Sequence, residues 1–199
     1  MVWDSKHFKK KIAKVISLNL EESEFNFVDK WCNKNNIDCI YYLKESNNNS
    51  NSLIESNNNY ILVDTRVVYI LDIKKNLSIY NSDNNLIIET SVNKVNTNLY
   101  NIADESISGT RFYNDKKFDI ILVREMYRKW INKSISDSKS HMITAEFNGE
   151  VIGFISFSIH KKSIAQIGLV AIDRKKRNMG VASVLMHECI KLCKLKKMN

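Results

Sequence analysis

Apolar positions along this chain change period several times, and the changes mark its elements. Residues 12–20, 38–43 and 60–73 are rich in β-branched residues or partly alternate, which predicts strands. Residues 25–35 take helical spacing between the first two, and 77–89 read as a further extended stretch. Asparagine-rich runs at 46–52 and 57–59 read as loop padding around a short helix, because asparagine favours turns over helix interiors. Farther on the pattern is clearer. Residues 99–108 and 118–135 predict helices, the second with Ile121, Leu122, Met126, Trp130 and Ile131 broadly on one side. Residues 142–147 and 151–159 predict two strands, and the Asn148-Gly149 between them is a strong hairpin signal. A strand over 163–172 follows. The last element is a helix whose Val181, Val184, Leu185, Cys189, Leu192 and Leu195 fall at helical intervals and form one buried stripe.

The order helix, helix, strand, strand, strand, helix sets the second part apart. The chain therefore reads as an α/β (α+β) protein in two units, 1–94 a smaller α/β domain and 95–199 the larger one. With 199 residues it can bury a real core. It has no proline, so its turns rest on Asn, Asp, Ser and five glycines.

Chemistry concentrates where the last strand meets the last helix. Ile167-Gly168-Leu169-Val170-Ala171-Ile172 is an apolar strand, Asp173-Arg174-Lys175-Lys176 a charged turn, and Arg177-Asn178-Met179-Gly180-Val181-Ala182 opens the helix. The first N–H groups of a helix lack partners within it and carry the positive end of its dipole. A pyrophosphate can settle on them if nothing bulky intervenes. Gly180 and Ala182 remove that bulk.

The spacing Arg-x-x-Gly-x-Ala, with this strand before it and this helix after it, resembles the coenzyme A loop of the GNAT superfamily of N-acetyltransferases. That resemblance implies acetyl-CoA as co-substrate. It implies backbone contacts from Val170, Ala171 and Ile172 to the pantetheine arm, and a pyrophosphate seat made by Arg177, Asn178, Met179, Gly180, Val181 and Ala182. One strand N–H would face the thioester oxygen, where negative charge gathers as an amine attacks.

Three further marks are Trp3-Asp4-Ser5-Lys6-His7-Phe8, Leu62-Val63-Asp64-Thr65-Arg66-Val67 and Arg111-Phe112-Tyr113-Asn114-Asp115. They resemble a subgroup, the TDP-fucosamine acetyltransferases (dTDP-4-amino-4,6-dideoxygalactose acyltransferases). The helix at 118–134, with Tyr127, Trp130 and Ile131, is similar to that subgroup's second helix. The resemblance implies transfer of an acetyl group to the 4-amine of a dTDP-linked deoxysugar. Arg111, Tyr113, Asn114 and Asp115 are the acceptor-binding candidates. On the other reading, Phe112 and Tyr113 are core anchors and Asn114-Asp115 caps the next helix. Asp64 and Arg66 read as an internal ion pair.

The family continues past the coenzyme helix with another strand, a helix and a hairpin, and carries there a tyrosine that protonates the departing thiolate. The chain stops at Asn199, so the resemblance implies a C-terminally truncated fold whose last strand keeps one edge open, or an edge covered by a partner. No residue inherits the tyrosine's role by motif, and the catalytic residues are left unassigned. Two other readings stand beside the sugar acetyltransferase: an enzyme with a peptide or small-amine acceptor, and an inactive acyl-CoA-binding fragment.

Composition bears on partners. The net charge of +8 favours anionic ones, nucleotide sugars and coenzyme A among them. The lysines are spread rather than gathered with aromatics, so nucleic acid is not expected. The start has no signal-peptide core, and no run approaches the roughly 18 apolar residues of a membrane span. A cytoplasmic protein without a membrane partner is expected, and a homodimer is an open alternative. Cys32, Cys39, Cys189 and Cys193 form no metal-binding spacing, so no metal is expected, and the last two read as packing residues. His7, His141, His160 and His187 suggest no catalytic arrangement.

Overall fold

The Asn148-Gly149 pair does what its composition requires. Both residues take left-handed backbone angles, φ 52° and 79°, as the tight turn of a hairpin demands. The computed structural model describes residues 1–18, 20–44, 60–74, 86–90, 92, 94–160 and 164–195. In chain order they form α1 (Val2–Phe8), β1 (Ile12–Lys14), α2 (Glu22–Asn35), β2 (Cys39–Tyr41), β3 (Ile87–Glu89) and α3 (Thr97–Ser106). A 3-10 turn leads to α4 (Arg111–Asn114), α5 (Ile120–Ser136), β4 (Ser140–Phe147), β5 (Glu150–His160), β6 (Ile164–Ile172) and α6 (Val181–Leu195).

The main sheet is antiparallel, in the order β3-β4-β5-β6. Alternation along its strands sends two sets of side chains to opposite faces. Ile143, Ala145, Ile155 and Phe157 meet Val181, Leu185, Cys189 and Cys193 of α6. Met142 and Phe154 meet Leu99, Ile102 and Ala103 of α3 and Ile131 of α5. A third cluster joins Phe8 of α1 and Ile12 of β1 to Phe112, Phe118, Val123, Met126 and Tyr127. β1 and β2 make a separate parallel pair. The structure is thus α/β with helices on both faces of its sheet.

Several expectations change. The stripe on α5 runs through Val123, Met126, Tyr127 and Ile131, whereas Ile121 is 62% exposed, because 123, 126, 127 and 131 hold the helical spacing together. On α6, Cys193 is buried and Leu195 is 72% exposed. The first strand is only Ile12–Lys14. Residues 60–73 form no strand. Tyr69 and Ile70 are 90% and 95% exposed, and among the described residues nothing pairs with them. Strand propensity reflects fit to a half-buried surface, and residues 64–72 are exposed. Of 77–89, Ile87–Glu89 pairs with β4, and 77–85 lie outside the described residues, as do the asparagine runs. Among the described residues the ion pairs are Arg128–Asp104 and Lys191–Glu188, so Asp64 and Arg66 do not pair. No helix among the described residues is long and apolar enough to cross a membrane.

Candidate active site

The passage from β6 to α6 builds a helix start with open donors. Asp173 closes the turn: its Oδ1 accepts from Lys175 N at 2.7 Å, its carbonyl accepts from Lys176 N at 2.9 Å, and its own N–H donates to the Ile152 carbonyl at 2.8 Å. The chain then reverses through two left-handed residues, Asn178 (φ 64°) and Gly180 (φ 76°). The Gly180 carbonyl accepts from Val184 N at 3.1 Å, the first bond of α6. The N–H groups of Val181, Ala182 and Ser183 therefore have no partner inside the helix. Gly180 suits that left-handed backbone conformation. Arg174, Lys175 and Arg177 are exposed around this start, and Arg177 Nε donates to the Ile172 carbonyl at 3.4 Å.

The strand feeding the loop is irregular. β6 pairs regularly with β5 at Ile155–Val170 and again at Phe157–Ile167, but the register slips between them. Gly168 and Leu169 together oppose Ser156, which is a bulge. Leu169 N donates to the Ser156 hydroxyl at 3.0 Å instead of continuing the ladder. A Cβ on Gly168 would stand 3.0 Å from that same oxygen. Val170 is 42% exposed, and among the described residues no strand pairs with the outer edge of β6. Glycine inside a strand was the available sign of the bulge, and Ser156 left no sign in the sequence.

The acceptor candidates divide. Arg111 lies with its guanidinium carbon 4.5 Å from the Phe112 ring centre and 5.0 Å from that of Tyr41, and its Nε is buried without a hydrogen bond. Asp115 is 8% exposed and accepts from Lys117 N at 3.0 Å. Tyr113 and Asn114 are exposed. The helix-cap alternative does not hold for α5, which Asp119 caps by accepting from Ile121 N at 2.8 Å. Phe112 is a core anchor and Tyr113 is not.

Arg111 and Asp115 meet around Tyr41, from the other part of the chain. The Tyr41 hydroxyl is buried without a well-aligned partner, although the Cys39 thiol lies beside it. Burial pushes this phenol up, with Cys39 and Asp115 adding and Arg111 opposing. Burial likewise raises Tyr127, while the Thr110 hydroxyl and Arg111 oppose and Asp64 adds. A 630 Å³ cavity opens here, with Tyr41, Tyr42, Tyr60, Cys39, Asp115 and Lys117 in its wall. Leu169 at the bulge packs against the cluster that holds Phe112, Phe118 and Tyr41, so the irregular strand and the aromatic cluster adjoin. Nothing in the spacing of Tyr41, Asp64, Arg111 and Tyr127 announced their meeting.

His7 also proves to be placed. Its Nε2 donates to the Leu122 carbonyl at 2.7 Å, Lys129 Nζ donates to its Nδ1 at 3.1 Å, and Trp3 stacks on its ring. It fastens α1 to α5. Among the described residues no group of three or more His, Cys, Asp and Glu is placed to hold a metal ion.

A sheet with helices on both faces and a bulged edge strand leading to an open helix start defines an α/β protein with unpaired helix N–H donors at the end of that strand. Residues 99–198 match the acetyltransferase (GNAT) family, and the chain belongs to that family. Among curated proteins none matches it by sequence. Similar solved structures include Ard1 from Thermoplasma volcanium, at 26% identity and TM-score 0.39, covering 57% of this chain and 66% of that one. A GNAT family acetyltransferase from Elizabethkingia anophelis with acetyl-CoA bound has 18% identity and TM-score 0.39, covering 57% and 61%. The PaiA N-acetyltransferase from Thermoplasma acidophilum in complex with coenzyme A has 18% identity and TM-score 0.43, covering 57% and 74%. The chain spans under two thirds of the length of the first two.

Proposed function

We propose that this chain is an N-acetyltransferase that moves an acetyl group from acetyl-CoA to an amine. The observation that carries the reading is the open start of α6, three N–H groups behind a left-handed Gly180, in a chain of the GNAT family. The pyrophosphate would rest on Arg177, Asn178, Met179, Gly180, Val181 and Ala182, and the pantetheine arm along Val170, Ala171 and Ile172. A strand N–H would steady the thioester oxygen as charge develops there. The amine attacks only when neutral, so its proton must leave to a base or a water chain. The new bond joins nitrogen to the acetyl carbon, the carbon–sulfur bond breaks, and the thiolate takes up a proton.

For the acceptor we propose the 4-amine of a dTDP-linked deoxysugar. Arg111 and Asp115 offer opposite charges beside the aromatic wall of Tyr41 and Phe112, and Tyr113 and Asn114 form the outer rim. The two-unit organisation, 1–94 and 95–199, belongs to this reading, with β3 lending a strand to the second unit, and so does a cytoplasmic location.

Calorimetry with acetyl-CoA tests the first step. Wild type should bind, and Gly180→Glu should lose binding while keeping the wild-type circular dichroism spectrum. Undiminished binding by a folded Gly180→Glu chain would remove the loop from the proposal. Incubation of wild type with acetyl-CoA and either a dTDP-4-amino sugar or a peptide amine then tests the acceptor. Acetylation of the peptide alone would overturn the sugar.

A further inference from the structure

At the sheet edge opposite β6 lies a second cavity, of 580 Å³, between β3, β4 and the start of α3. Val92, Leu99 and Val151 give it an apolar lining, and Glu89, Glu146 and Thr144 are its polar side chains on the sheet. Register explains why these three share a face. Glu89 stands opposite Thr144 and Ile87 opposite Glu146, so the two glutamates are diagonal neighbours across the β3–β4 pair.

Two features are left without local partners. Thr144 is 1% exposed, and its Oγ1 is buried with no hydrogen-bond partner. Among the described residues neither Glu89 nor Glu146 makes a hydrogen bond or ion pair, although Lys94 also lines the cavity. The start of α3 does not use them: Asn98 N donates to the Asn96 side chain at 2.9 Å and Leu99 N to the Asn96 carbonyl at 3.0 Å. Like charges on diagonal neighbours repel, and a buried hydroxyl without a partner is costly. One bound cation answers both. A hard metal ion would draw most of its roughly six oxygens from water here, and would leave the apolar lining unused. The apolar lining suits an alkyl chain.

We propose that this cavity binds a small aliphatic amine. The ammonium sits between Glu89 and Glu146 and donates to Thr144 Oγ1, and the alkyl chain lies on Val92, Leu99 and Val151. The carboxylates that hold the ammonium stand on β3 and β4, two to three strand spacings from β6, about 10–14 Å. The amine held here is therefore a second ligand, distinct from an acceptor at β6, and its binding does not depend on the acetyltransfer reading.

Calorimetry of the whole chain with 1,4-diaminobutane at low ionic strength tests this, with 1-butanol as the uncharged control. Wild type should show saturable binding of the diamine and none of the alcohol. Glu89→Gln with Glu146→Gln should weaken diamine binding at least tenfold, and Thr144→Val should weaken it several-fold. Gly180→Glu should leave it unchanged, which separates this site from the coenzyme loop. A folded wild-type chain that does not bind the diamine overturns the proposal, and so does equal binding by the double Gln variant.

Discussion

Two of the three core clusters, the one under α6 and the aromatic one, are assembled differently. The α6 cluster draws its core from residues 143 to 193, which run together through β4, β5 and the last helix. The aromatic cluster brings Phe8 and Ile12 to Phe112, Phe118 and Tyr127, about half the chain or more away in sequence. Contacts between near neighbours leave a periodic trace in the sequence. Contacts between distant segments leave composition at best, and both can be equally dry: Leu185 is fully buried and Phe8 is 3% exposed. The coenzyme-loop candidates lie by the first kind of cluster, and the acceptor candidates by the second.

Truncation in each core is the strongest way to break the comparison. Leu185→Ala should cost about 2–5 kcal/mol and Phe8→Ala about 3–5 kcal/mol. If the two clusters form one cooperative unit, urea unfolding should stay a single transition in both variants, shifted to lower denaturant. A Phe8→Ala chain that loses one early transition while the other keeps its wild-type midpoint would instead show two units.

That division also accounts for what was legible. The hairpin, the helices α2, α3 and α5 and the turn that opens α6 were readable because each is written in local spacing or turn chemistry. The bulge at Gly168 was half-written, as a glycine within a strand. The segment at 60–73 carried the residues of a strand, yet its middle, 64–72, lies exposed. Asp64 and Arg66 were read as a pair because they are near in sequence, and the ion pairs among the described residues lie elsewhere. Tyr41 joined Arg111 and Asp115 through folding alone.

Turns offer a smaller test. Gly149→Ala meets nothing within 4 Å but must adopt φ 79°, so its cost is purely conformational, about 1–2 kcal/mol. Gly109 has equal space and no positive φ, so Gly109→Ala should change stability little. Thermal unfolding of the pair measures backbone strain alone. Equal losses in both would show that the hairpin does not depend on its left-handed glycine.

Alkaline pH probes the α6 side differently. Burial pushes the Cys189 thiol from 9.0 up to about 12, and Cys193 beside it adds to the rise. The folded chain keeps that proton where the unfolded chain has lost it. The contribution to stability is fully present below about pH 9 and is lost as pH rises toward 12. Tyr41, Tyr60, Tyr127, Cys32 and Cys39 shift in the same direction, so wild type should weaken with alkali overall. Cys189→Ala should be less stable at neutral pH and should lose stability less steeply in urea titrations between about pH 8 and about pH 11. Parallel slopes would mean that the thiol is more open to water than its 4% exposure indicates.

The smallest effect belongs to the seam between α3 and α5. Arg128 Nη2 donates to Asp104 Oδ2 at 2.7 Å, and its guanidinium carbon lies 5.5 Å from the Tyr100 ring centre. The Arg128 side chain is 45% exposed, so solvent screens most of the attraction. Arg128→Ala should cost under about 1 kcal/mol, and less at high salt. Asp104, at 18%, is the more enclosed partner, and its Oδ1 is buried without a hydrogen bond. Removing the arginine leaves that carboxylate uncompensated, whereas removing both removes the problem. The double variant Arg128→Ala with Asp104→Ala should therefore be no less stable than Arg128→Ala alone. A double variant that loses the sum of the two single effects would show that the ion pair does not couple these helices, and that packing at Leu99 and Ile131 alone holds the seam.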